Sequence, residues 1–141
     1  MNEAVRIVYA ADAEVRQRGG GVRTTHMITP EAVEGTTFVN GITEFEVGAE
    51  LGFHFHNCVE SVLVLEGSAR FDVEDSSHAM GADDVTFVPA NVTHRFVNTG
   101  ETRMRLFFVY GSAAPTRTMI ESGETFPIGS PLDVLKPGAD H

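Results

Sequence analysis

The chain is poor in what a nucleic-acid or membrane partner requires. It carries 10 Lys and Arg against 20 Asp and Glu, a formal net charge of -10 with a pI near 4.9. Neutralising phosphates takes a basic surface, so this balance argues against nucleic acid and against an anionic membrane surface. No apolar run approaches the roughly 18 residues of a transmembrane helix. Met1 to Arg6 lack the basic and apolar regions of a signal peptide. With one Cys no internal disulfide can form, and a cytoplasmic location is the default expectation. Gly19-Gly20-Gly21 lacks the Lys-Ser/Thr of a phosphate loop and reads as a flexible turn. No Ser-His-Asp arrangement is visible. No segment sustains a 3.6-residue period, so helices are few.

What is present is a succession of short β-type segments. At 141 residues the expected count is one domain. Candidate strands are Arg6–Ala10, Val22–Thr29, Thr36–Asn40, Thr43–Val47, Gly52–His56, Ser61–Glu66, Ala69–Glu74, Val85–Val88, His94–Asn98 and Arg103–Tyr110. Turn residues separate them, among them Gly41, Gly48, Asn57, Gly67, Asp75-Ser76-Ser77, Asn91 and Gly100. Asp12 to Gly21 reads as a charged loop. The pattern predicts an all-β fold, an antiparallel jelly-roll sandwich or barrel, whose interior holds one small ligand. Residues 1–126 form the domain, with a core about 36–112. Residues 127–141, rich in Pro and Gly, read as an arm or disordered tail.

The chemistry concentrates between Gly48 and Gly67. His54 and His56 are two apart, which on a strand puts both imidazoles on one face. Glu60 follows across a polar turn at Asn57 and opens an apolar strand. Two imidazoles and a carboxylate from adjacent strands suit a divalent transition metal. His94, in Pro-Ala-Asn-Val-Thr-His-Arg-Phe, is the candidate fourth ligand. Set against this, His54, His56 and Glu60 could be a wet strand end, and His94 a satisfied core histidine. Phe53 and Phe55 oppose the first alternative, because one face of that strand must be the interior.

This pattern resembles the cupin superfamily. The family's first motif, G-x5-H-x-H-x3-E-x6-G, is kept at Gly48, His54, His56, Glu60 and Gly67. Its second motif, G-x5-P-x-G-x2-H-x3-N, is met at Pro89, His94 and Asn98. Asp83 and Asn91 stand where that motif has glycines. Asn tolerates a left-handed backbone best among non-glycine residues, so the turn is expected to survive. The resemblance spans roughly residues 40 to 110 and implies a double-stranded β-helix of RmlC-like type. It also implies metal ligation by His54, His56, Glu60 and His94, with one Fe, Mn, Ni, Co, Cu or Zn ion as cofactor.

Alternation places Phe45, Val62, Phe96 and Phe108 on the pocket wall, with Tyr110 as a candidate ligand-orienting group or proton donor. A strand-end Tyr with a wet hydroxyl is the plainer reading. Cys58 between the ligands would suit redox chemistry, although a lone Cys is more often a small buried hydrophobe. His26 is a candidate for the pocket lining. His78, in a turn, is assigned no role. Glu44, Glu46 and Glu50 look like a solvated face.

Three imidazoles and a carboxylate leave a divalent site with residual positive charge, which favours anionic or enolisable substrates. Family members include oxygenases, isomerases, lyases and binding proteins. The expected function is a metalloenzyme acting on a small oxygenated organic molecule, oxygenase-type before isomerase or lyase. The competing reading is a non-catalytic sensor or storage module. Outward Phe53 and Phe55, with a pairing-competent Arg6–Ala10 strand, lead to the expectation of a homodimer.

Overall fold

The computed structural model describes Asn2 and residues 4–134. In chain order its strands are β1 (Val15–Gly19), β2 (Val22–His26), β3 (Val39–Phe45), β4 (His54–His56), β5 (Glu60–Glu66) and β6 (Ser68–Val73). Then follow β7 (Ser76–Gly81), β8 (Val85–Val88), β9 (His94–Asn98), β10 (Met104–Tyr110), β11 (Thr116–Met119) and β12 (Thr125–Pro127). They form two six-stranded sheets, ordered β1-β2-β3-β10-β5-β8 and β12-β11-β4-β9-β6-β7. Strand pairs are antiparallel throughout. The architecture is the expected all-β jelly roll, and a 3-10 turn at Ala10–Asp12 is the only helical element among the described residues.

Period-two alternation buries one face of each central strand. In β3, β5 and β10 buried residues alternate with half-buried ones, which sends Phe45, Val62, Val64, Met104, Leu106, Phe108 and Tyr110 into one core. Charges stay outside: Glu44 on the outer face pairs with Arg23, Arg103 and Arg105.

Several local expectations are corrected. Arg6–Ala10 is not a strand; it runs into the 3-10 turn at Ala10 and joins neither sheet. The first strand lies instead inside the charged segment read as a loop, where β1 and β2 form a hairpin across Gly20-Gly21. Thr36–Asn40 and Thr43–Val47 are not separate strands, because β3 runs straight through Gly41. Gly41 is there for closeness rather than for turning. A Cβ at this position would lie 2.3 Å from the Thr25 carbonyl and 2.7 Å from Phe108 Cζ. Ser76 and Ser77 start β7, the exposed edge strand, rather than extending the turn.

The C-terminal reading also changes over the described residues. β12 carries buried Phe126, Ile128 packs on the core, and Asp133 is 2% exposed. Residues 127–134 therefore lie on the barrel, while 135–141 fall outside the described residues.

Both departures from the second motif keep the backbone shape that glycine would have allowed. Asp83 has φ 75° and Asn91 φ 66°, both left-handed. Asn98 is 1% exposed, and its amide nitrogen donates to the Phe45 and Thr102 carbonyls, each at 3.0 Å. Its Oδ1 accepts from the Gly100 N–H, so one side chain ties β9 to β3 and to the β9–β10 turn.

Candidate metal centre

Cross-strand pairing assembles the site. His54 stands opposite His94 between β4 and β9. Tyr110 stands opposite Glu60 between β10 and β5, and Arg117 opposite His56 between β11 and β4. Directly opposite residues share a sheet face, and here that face is the interior. All six of these residues are buried.

One device orients the three imidazoles. The Nδ1 atoms of His54, His56 and His94 lie 2.8, 3.1 and 2.8 Å from the carbonyls of Gly52, Thr116 and Val92. A carbonyl can only accept, so Nδ1 carries the hydrogen and Nε2 presents its lone pair. The ring donor atoms gather within 4.8 Å of one another. Glu60 closes the group, with Oε2 3.1 Å from His56 Nε2 and Oε1 3.0 Å from His94 Nε2. In spite of these approaches His56 Nε2, His94 Nε2 and Glu60 Oε1 make no hydrogen bond. Converging buried acceptors without donors are costly unless a cation lies among them. A main-chain partner on the far nitrogen of each imidazole is the outer support that metal-ligating histidines use. The donor set thus fits a divalent transition-metal ion.

For His54, His56 and Glu60 the charge state agrees, and His94 departs from it in the absence of a cation. Burial, with the neighbouring His56 and Arg117, holds His54 well below its ordinary pKa. Burial lowers His56 as well, against the pull of Glu60. For His94 the same penalty is outweighed by Glu60, and its pKa rises. Burial would raise the Glu60 carboxyl, but contacts with His56 and His94 hold it well below its usual value. The carboxylate is therefore ionised and His54 neutral at pH 7, as ligation requires.

Beside the centre lies a cavity of about 30 Å³, lined by His54, Glu60, Phe45, Val62, Phe96, Phe108 and Tyr110, among others. The residues expected on the pocket wall are there. Tyr110 packs edge-on to His56, with ring centroids 4.8 Å apart, and its hydroxyl lies 3.3 Å from Arg117 Nη2. Burial raises its pKa, so the phenol keeps its proton and is not a wet strand-end hydroxyl. The cavity shares Arg18, Leu51 and Arg117 with an outer vestibule of about 800 Å³. A larger-mouthed surface groove along β7 and β8, past His78 and Phe87, contains none of these donors.

Other candidates resolve differently. His26 stacks edge-on to Phe108 at 5.9 Å and does not line the cavity. His78 is exposed on β7, 3.0 Å from the Ser76 hydroxyl. Cys58 is half-buried, and burial followed by the Glu60 charge pushes its thiol pKa up, away from a reactive thiolate. Phe53 lies under the Arg95 guanidinium, 4.1 Å from its ring centroid, on the vestibule wall.

Sequence reasoning missed Arg18, Arg117 and Asp133. Arg18 Nη2 lies 2.5 Å from Asp133 Oδ1, and Arg117 Nη1 donates to the same oxygen. Arg18 belongs to a strand read as a loop, Arg117 lies beyond both motifs, and Asp133 falls in the supposed tail. The β11 register opposite β4 was the one signal that would have turned Arg117 inward.

A family profile described as Cupin domain matches residues 41–110. Protein SchB of Streptomyces halstedii is 32% identical over 120 residues, covering 81% of this chain and 86% of that protein. The chain belongs to the cupin superfamily. A second relative, named polyketide synthase CurC, from Streptomyces cyaneus, is 32% identical over 101 residues. That match covers 71% of this cupin and 64% of CurC. Among solved structures, a cupin-superfamily sugar phosphate isomerase from Silicibacter pomeroyi aligns at TM-score 0.68 and 21% identity, covering 89% of this cupin and 96% of that chain. An oxalate oxidase bound to glycolate aligns at 0.71 and 17% identity, covering 84% and 65%. At such identities the structural likeness establishes the fold.

Proposed function

We propose that this cupin is a metal-dependent enzyme acting on a β-dicarbonyl substrate of polyketide type, with oxygenation as its reaction class. The observation that carries this reading is the buried cluster of His54, His56 and His94, with Glu60 against the latter two and the unpartnered His56 Nε2, His94 Nε2 and Glu60 Oε1 facing one another. The substrate class is supported by the name of the relative CurC and by the two guanidiniums, Arg18 and Arg117, that line the cavity. Polyketide chains alternate carbonyls with methylenes, and their enolates are bidentate oxygen donors.

His54, His56, His94 and Glu60 would hold the ion. When bound, it supplies Lewis acidity and, if redox-active, one-electron chemistry with dioxygen. Phe45, Val62, Phe96 and Phe108 exclude water, which strengthens the electrostatics inside. The protonated Tyr110 hydroxyl donates to a substrate oxygen, supported from behind by Arg117. Glu60 would be committed to the ion, so enolisation relies on the acidity of the dicarbonyl itself and on positive charge nearby.

Dioxygen uptake by Fe(II)-, Mn(II)- and Ni(II)-loaded protein with pentane-2,4-dione tests this directly. Diketone-dependent uptake, lost in His56→Ala, is the expected result. Diketone conversion without uptake would replace oxygenation by isomerase or lyase chemistry. Binding with no conversion of diketones, catechols or thiols would leave the non-catalytic sensor reading.

A further inference from the structure

The inner cavity of about 30 Å³ has room for about one water molecule, whereas the vestibule outside it measures about 800 Å³. Arg18 and Arg117 border both spaces. They stand at the neck between solvent and the His54–Glu60 centre, 5% and 3% exposed.

Two buried guanidiniums so close repel each other, and one carboxylate holds them. Asp133 Oδ1 accepts from Arg18 Nη2 and from Arg117 Nη1, and the Asp133 main-chain carbonyl accepts from Arg18 Nε at 3.2 Å. Thr24 Oγ1 accepts from Arg18 Nη1 at 3.4 Å, and Tyr110 from Arg117 Nη2. Arg117 Nε is buried and makes no hydrogen bond. Two cations against one anion leave the neck with a net charge of +1 and a donor unused.

The segment bearing Asp133 lies outside the two sheets. Residues 130–134 belong to no strand, and Leu132 and Val134 are 58% and 39% exposed. Polar ties to the rest of the barrel are the Asp133 contacts above and a 2.6 Å hydrogen bond from Arg16 Nη1 to the Ser130 carbonyl. A carboxylate on a turn outside the sheets thus fills an arginine pair at the neck of a pocket too small for any organic substrate.

We propose that Arg18 and Arg117 form a carboxylate-binding site for the acidic end of the substrate, occupied in the free chain by Asp133. The incoming acid takes over both guanidiniums, the Asp133 turn swings out, and the neck widens towards the metal centre. No bond is made or broken; one carboxylate exchanges for another. The inference deepens the β-dicarbonyl reading by making the substrate a diketo acid, and it rests on that reading for the position of the ketone end.

Two stable diketones separate the two readings. Pentane-2,4-dione carries the dicarbonyl alone, and 4,6-dioxoheptanoate carries it with a distant carboxylate. In calorimetric titration of Zn(II)-loaded protein, the acid should bind at least about tenfold tighter, the order of one charge-assisted contact. Arg18→Gln or Arg117→Gln should reduce the affinity for the acid to that for the neutral diketone. Asp133→Asn should raise the affinity for the acid several-fold. Hydrogen exchange should show residues 128–134 released by the acid and by hexanoate, which has no dicarbonyl, with or without metal. Equal affinities of the two diketones in the wild type, or weaker acid binding in Asp133→Asn with its arginines intact, would overturn the site. If neither diketone binds while hexanoate still releases 128–134, the arginine site stands and the dicarbonyl reading fails.

Discussion

Single residues explain both what the sequence reveals of the site and what it hides. Asp133 is the clearest hidden case. Burial would raise its carboxyl, yet Arg117 and Arg18 bring its pKa down from 3.8 to about 2. A carboxyl lowered on folding stabilises the fold above its unfolded pKa, and that stability is lost as pH falls through the folded one. Asp133 therefore contributes about 2 kcal/mol at neutral pH that disappears between about pH 4 and pH 2. Denaturant titration at pH 7 should find Asp133→Asn about 3 kcal/mol less stable, because two buried guanidiniums lose their counter-ion. Identical stabilities, or identical pH profiles below pH 4, would show that the triad contributes nothing. The metal-type residues were legible because their spacing is local: His54, His56 and Glu60 fall within seven residues. Arg18, Arg117 and Asp133 come together over separations of up to 115 residues, and no local pattern reports such a meeting. Asn91 was also legible, since its left-handed φ follows from standing at a glycine position. Asn91→Ala should lower stability by about 1 kcal/mol while Asn91→Gly stays near neutral in thermal melts. Equal losses in both would place its role in the side chain.

At the scale of elements, turn residues misled where a glycine served packing. Gly41 looks like a turn and lies in mid-strand, because Phe108 and the Thr25 carbonyl occupy the space of its Cβ. Gly41→Ala should cost at least about 1–3 kcal/mol through overpacking of β3 against β2 and β10. At Gly81, the end of β7, a Cβ would meet nothing within 4 Å, so Gly81→Ala should be neutral or slightly stabilising. Denaturation midpoints decide it, and a harmless Gly41→Ala would remove the close-approach account. The central strands were legible because burial on one face imposes strict alternation. β1 and β7 were not, since each lies at a sheet edge with its outward residues in water and no apolar period to report it.

At the scale of the molecule, the expectation of a homodimer passes to a different face. One continuous apolar row lies on the outer side of the first sheet. There Val85, Leu63, Phe107 and Ile42 form one cross-strand row, and Val85 and neighbouring Phe87 are 62% and 70% exposed. We propose that a second copy covers this face about a twofold axis, because rows on antiparallel strands are self-complementary and a stable pairing needs only about 800 Å² per subunit. Light scattering should give twice the 15.3 kDa chain mass, reduced to the monomer in Phe87→Glu. A monomeric wild type at micromolar concentration would dismiss the dimer, and a dimer untouched by Phe87→Glu would move it elsewhere. Metal should stabilise the whole barrel, since its proposed ligands come from β4, β5 and β9. At about 1,000 times its dissociation constant an ion adds roughly 4 kcal/mol, so complete demetallation should lower the melting temperature. An unchanged melt would mean weak binding or none.

The most direct test of the account is the metal content of purified protein after dialysis against a weak chelator, for the wild type and His56→Ala. The wild type should retain about one transition-metal ion per chain, and the variant should lose nearly all of it, since even a lost outer partner costs about 10–100-fold in affinity. Full metal content in His56→Ala, or a metal-free wild type that cannot be loaded, would contradict the assignment of His54, His56, His94 and Glu60 as a metal centre.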